Sequence, residues 1–250
     1  MVINGTQDDR LPLITDCLSV ESCDSYIYLG SIFTQDGKVD TSLKLHTNNK
    51  QAQVMKFISF VSKNVDYPFW VKRTVFDAAL LSSILYGCEA WLGASLKPME
   101  SAYRTLIKVL LGVRPTTTIN LCLVELGMPS LGARVKAAQR KFVLRLLAQR
   151  EGIVDDPFMQ IWEMCVAART KGAKYLEQLI MIEDDIIQTD IANRTTGNVG
   201  HQGTKSNTYF TINPNGTVHP MYLRKVASVS DRDRVCATRL RLSSHRLCIE

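Results

Sequence analysis

The chain has no apolar run approaching the ~20 residues that a membrane-spanning helix requires. Stretches such as Ala78 to Leu81 and Val109 to Val113 stop far short, so no membrane partner is expected. Its seven cysteines are odd in number, irregularly spaced and include no Cys-x-x-Cys pair, which excludes the disulfide framework of a small secreted domain. Reduced thiols are expected. The first ten residues have neither a basic start nor an apolar core, so no secretory leader is expected and the protein is read as intracellular, in nucleus or cytoplasm. Also missing are a Gly-x-x-x-x-Gly-Lys-Ser/Thr phosphate loop, a Gly-x-Ser-x-Gly elbow and a His-Glu-x-x-His helix. Their absence removes the best-known nucleotide-hydrolase, serine-hydrolase and metalloprotease signatures.

Acid clusters that could converge on a divalent cation are few: Asp8-Asp9, Asp155-Asp156 and Glu183-Asp184-Asp185. Neighbouring residues on a strand face opposite ways, and Asp155-Asp156 before Pro157 suits a helix cap better than a metal. Glu183 to Asp185 would close a helix running from Ala173 to Ile191, the wrong end for its dipole, and reads as a solvated face. Cys236, His245 and Cys248 have the atom types of zinc ligands, but three ligands leave a structural site open and the spacing matches no common knuckle. No metal ligand, catalytic residue or cofactor is assigned.

What is present is a 250-residue chain, 46% apolar, with a net charge of +6 unevenly spread. Residues 1–37 alternate short β-favouring runs with turn residues and read as a small β element. From 38 to 114 apolar residues recur at helical spacing. One helix carries Val54, Phe57, Ile58 and Val61 after a cap at Asp40 or Thr41. A second, from Trp70 to Tyr86, is apolar on nearly every face apart from Lys72 and Arg73, and a third ends at Gly112. Residues 115–192 form a helical region, basic and then acidic. Leu131, Val135, Phe142 and Leu146 make an apolar stripe between Arg134, Lys141 and Arg145 on one side and Lys136 and Arg140 on the other. Residues 193–217, rich in Gly, Asn, Thr and Ser, read as a flexible loop or linker. Residues 218–250 read as a basic helical segment in which Arg232 aligns with Arg239, and Arg234 with Arg241, about two turns apart. The fold class expected is mainly α, bundle-like, with a small N-terminal β element.

The order Asn4-Gly5-Thr6, Tyr28-Leu29-Gly30-Ser31, Asp36-Gly37, Leu85-Tyr86-Gly87-Cys88-Glu89-Ala90-Trp91 and Leu110-Leu111-Gly112 resembles LINE-type (non-LTR) retrotransposon reverse transcriptases. The run Arg239 to Leu247 resembles the stretch that precedes a zinc knuckle in several of them. The resemblance covers most of the chain and corresponds to the thumb and C-terminal region, downstream of the palm. The Tyr/Phe-Ala-Asp-Asp metal motif of that palm is absent. The resemblance implies a fragment of an RNA-directed DNA polymerase, without catalysis by this chain alone, and with magnesium belonging to the missing palm. It further implies binding of RNA or an RNA-DNA duplex, and a partner protein or a palm supplied separately. Lys72, Arg73, Arg134, Lys136, Arg140, Lys141, Arg145, Arg232, Arg239 and Arg241 are the candidate nucleic-acid contacts. Tyr28, Leu29, Gly30, Tyr86, Gly87, Glu89 and Trp91 are structural motif positions, with Glu89 able to accept a hydrogen bond. The alternative is a helical protein-interaction module or the product of a decayed element, without nucleic-acid binding.

Overall fold

The computed structural model describes residues 1, 3–6, 11–15, 18–148, 160, 163–164, 167–168, 170–195, 204–222 and 229–243. The Asp8-Asp9 and Asp155-Asp156 pairs, His245, Cys248 and most of the stretch from Pro157 to Ala168 lie outside them. The fold is mainly α with a small N-terminal β element. Strands β1 (Leu13–Thr15) and β2 (Leu18–Val20) form one antiparallel hairpin, and β3 (Ser25–Tyr28) and β4 (Ser31–Thr34) form another, in register from Ser25 opposite Thr34 to Tyr28 opposite Ser31. No helix among the described residues is long and apolar enough to cross a membrane.

The second hairpin leads into α1 (Val39–Lys63) through a hydrogen-bonded corner. Asp36 accepts from the Thr34 hydroxyl at 2.7 Å, the Thr41 hydroxyl at 2.7 Å and the Lys38 amide at 3.0 Å. These bonds, the one from Thr34 foremost, hold its carboxyl down at about 2. The expected cap at Asp40 or Thr41 is thus replaced: Thr41 serves Asp36, and Asp40 accepts from the Ser95 amide across the chain at 2.7 Å.

Pro68 starts α2 (Phe69–Val75), which continues through a π-helical stretch (Phe76–Leu81) into α3 (Ser82–Ile84). The apolar stretch is central as expected, with Phe76, Leu80, Leu81 and Ile84 buried, although Trp70 stays partly exposed. Then come α4 (Lys97–Leu111), α5 (Ile119–Leu126) and α6 (Leu131–Ala148). Helix α5 is buried throughout from Leu121 to Leu126.

Three sequence expectations change here. The helix expected from Ala173 to Ile191 is two, α7 (Lys171–Ile180) and α8 (Ile186–Thr195). The acid run sits at the break, and Asp185 accepts from the amides of Ile187 and Gln188 at 2.8 and 3.1 Å. It caps the start of α8, where a carboxylate suits the dipole. Within the segment read as a loop, α9 (Thr204–Ile212) forms around Tyr209, which is fully buried. One aromatic anchor supplies the burial that composition alone did not reveal. Helix α10 (Asp231–Arg241) then closes the chain back onto α4 and α5, and one core cluster runs from Leu43 to Leu242.

Candidate nucleic-acid interface

The two motifs that lie more than fifty residues apart in sequence meet in space. Leu29 and Gly30, the central pair of the β3–β4 turn, have φ of 47° and 83°, as a two-residue hairpin of the I′ type requires. The Tyr86 hydroxyl donates to the Leu29 carbonyl at 2.7 Å. Its ring lies so close that a Cβ on Gly30 would approach Cε1 to 2.8 Å. Gly87, at φ 72°, ends the α3 rod in a left-handed turn, and a Cβ there would stand 3.0 Å from the Ser31 hydroxyl. Both glycines are needed because the hairpin turn and the helix end are pressed together.

Behind this junction Trp91 is buried against His46 in an edge-to-face contact at 5.2 Å. His46 Nε2 lies 2.9 Å from the Ile84 carbonyl, and burial lowers its pKa. Cys88 is buried, with its thiol pushed up to about 12 chiefly by desolvation, which makes it an inert core group. The described cysteines are free thiols.

Helix α6 is bolted to this junction. Gln139, 1% exposed, donates to the Cys88 carbonyl at 3.0 Å and accepts from the Tyr175 hydroxyl at 2.7 Å. At its start, Ser130 bonds the Asp190 carboxylate through both its amide and its hydroxyl, at 2.8 and 2.9 Å. The buried seam is Leu131, Val135, Gln139 and Val143, whereas Phe142 and Leu146 are only half-buried. The expected stripe is therefore corrected toward the side where Gln139, polar but fully bonded, faces the core. Phe142 instead carries the Arg145 guanidinium over its ring, 5.5 Å from the centroid.

A groove of about 720 Å³ lies between the β3–β4 hairpin, the Leu85 to Ala90 turn and α6. Tyr28, Phe33, Tyr86, Glu89, Arg134 and Arg145 all line it. Tyr28 and Tyr86 are each more than half exposed. The Arg134 Nε is buried and has no acceptor among the described residues, which leaves its guanidinium short of the bonds it can make.

The ten candidate cations divide into two sets. Lys72 is 1% exposed and bonded to Asp231 at 2.5 Å, which also accepts from Arg234 at 2.7 Å. Arg241 meets buried Glu125 through two bonds of 2.6 and 3.0 Å. Arg73 pairs with Asp77 at 2.5 Å, and Arg239 donates to the Gly112 carbonyl at 2.8 Å. Lys72 and Arg241 are corrected to structural cations, committed to buried acids within the fold. Arg232, three-quarters exposed beside Asp66, and the α6 residues Arg134, Lys136, Arg140, Lys141 and Arg145 remain at or near the surface.

Sequence reading missed Phe142 and Phe33 as groove walls, and missed a second basic face on α4. Lys97, Arg104 and Lys108 border a cavity of about 480 Å³ with Ser101 and Thr105. Their spacing of seven and four residues is a helical-face signal that the sequence does contain. No cluster of His, Cys, Asp or Glu able to hold a metal ion occurs among the described residues. Comparison of the chain with protein-family models, curated proteins and solved structures finds no match.

Proposed function

We propose that this chain is a non-catalytic, nucleic-acid-binding region of a retroelement reverse transcriptase, its thumb-like part, and that it contacts a template-primer duplex through the basic face of α6. The observation that carries this reading is the meeting of the Tyr28-Leu29-Gly30-Ser31 and Leu85 to Trp91 motifs at one junction, with α6 anchored to it through Gln139. Arg134, Lys136, Arg140, Lys141 and Arg145 on one helix, with no acid between them, are suited to phosphates. On this reading the protein works inside the cell, synthesis and its magnesium belong to a palm on another polypeptide segment, and this chain alone polymerises nothing. Titration of a labelled RNA-DNA duplex at several salt concentrations tests it. Affinity falls steeply with salt, and Lys141→Ala and Arg145→Ala each flatten the slope by about one. Absence of binding at low salt overturns the proposal.

A second reading, a helical protein-interaction module, draws on the exposed apolar residues of the two hairpins, among them Ile14, Leu18, Tyr26, Ile27 and Leu29. A solvated two-stranded ribbon of this kind is weak by itself and gains from a covering partner. On that reading reversing Arg134, Lys141 and Arg145 to Glu leaves partner binding intact, and its loss counts against the module.

A further inference from the structure

We propose that the groove between the β3–β4 hairpin and α6 holds an unpaired segment of the nucleic acid, its base against Tyr28 and Tyr86 and its phosphate toward Arg134 and Arg145. This rests on the reading of α6 as a nucleic-acid-binding face and adds to it the form of nucleic acid that the groove selects. At about 720 Å³ the space belongs to the size class of pockets that hold small ligands, the scale of a nucleotide rather than of a duplex. A duplex can lie along α6, and a strand that has left its partner can place a base in the groove.

The chemistry of the walls divides in the same way. The exposed rings of Tyr28 and Tyr86 offer stacking surface, and Tyr86 is already held by its bond to the Leu29 carbonyl, so little side-chain freedom is lost on binding. On the opposite wall Arg145 lies over Phe142 and is exposed, and the half-buried Arg134 lines the same side. Glu89 lines the same groove, so the local balance is two cations to one acid. That favours a single phosphate with its base over a run of phosphates. Rings for the base and guanidinium groups for the backbone are the usual components of a single-strand site.

The test compares a blunt RNA-DNA duplex with the same duplex carrying a short single-stranded extension that contains 2-aminopurine, titrated against the full chain. The extension tightens binding by roughly tenfold or more, and 2-aminopurine fluorescence is quenched by stacking. Tyr28→Ala removes the gain and the quench while leaving blunt-duplex affinity and its salt slope unchanged, and Tyr28→Phe keeps both. If the blunt duplex binds but the extension adds neither affinity nor quench, the groove proposal falls while the duplex reading stands. If the gain survives Tyr28→Ala in a folded variant, it also falls. If neither form binds, both readings fail. Quenching with the unmodified chain is read independently of whether any variant folds.

Discussion

Asp231 is the only carboxylate bonded to two buried cations, Lys72 and Arg234, among the described residues, and its removal has a calculable consequence. The side chains of Lys72 and Arg234 are each 2% exposed, and the guanidinium also lies 4.6 Å from the Phe69 ring centroid. In Asp231→Ala both buried cations lose their anion. Deleting one partner of a buried pair costs about 3–5 kcal/mol, and here two charges are stranded, so the loss reaches at least the upper part of that range. Lys72→Met is a different perturbation. It sacrifices one charge-assisted hydrogen bond, about 1.5–3 kcal/mol, but relieves the desolvation of an ammonium group, itself several kcal/mol, and leaves Asp231 and Arg234 as a neutral pair. The two terms nearly cancel, and the variant stays within about 1 kcal/mol of the parent. Urea unfolding of the full chain at unchanged m-value separates the two cases. Equal destabilisation by both substitutions refutes the argument that Asp231 balances two charges. The same Lys72→Met protein leaves the salt slope of duplex binding unchanged; a slope flattened by one returns Lys72 to the nucleic-acid contacts.

Other perturbations follow from single residues. Glu125→Ala strands Arg241 and leaves the Tyr209 and Tyr222 hydroxyls without the carboxylate that accepts from them at 2.7 and 3.0 Å, costing about 3–5 kcal/mol in the same unfolding assay. A loss below 1 kcal/mol contradicts that placement. Leu29, exposed and at φ 47°, pays for a left-handed backbone, so Leu29→Asn raises stability by about 1 kcal/mol, and no gain removes the strain. His46 has its pKa lowered, by burial first, so the folded state prefers neutral imidazole. Its contribution is fully present above the unfolded value near 6.5 and is lost as pH falls from there toward the depressed folded value. Unfolding midpoints measured from pH 8 to 5 show this loss, and His46→Gln shows less of it.

Much of the helical layout is written in local pattern, and its failures share a cause. Helix α6 and the end of α4 at Gly112 follow from spacing and composition, which depend only on neighbours in sequence. The break between α7 and α8 escapes local pattern because Asp185 fits the end of one helix and equally the start of the next. Tyr209 in α9 has too few apolar neighbours in sequence to announce a helix; its partners are Glu125 and Asn213, the former 84 residues away. Gln139 shows the same limit on α6, where a polar residue occupies the seam because Cys88 and Tyr175 satisfy its amide.

The basic residues carry this lesson into function. A helical wheel correctly aligns Arg234 with Arg241 and Arg232 with Arg239, but it cannot say which pair faces the acids of another element. The structure turns Arg234 and Arg241 toward Asp231 and Glu125, while Arg232 sits exposed beside Asp66 and Arg239 reaches back to Gly112. The count of basic residues therefore overstates the cation surface, because each buried pair subtracts a base from what a phosphate can meet. Of the ten candidate contacts, those left concentrate on α6, whose orientation is set by Gln139 and Ser130 rather than by any basic residue. Substituting Gln139 would consequently shift the whole basic face against the Tyr86 junction. A substitution of Lys141 alone would subtract one charge and move nothing.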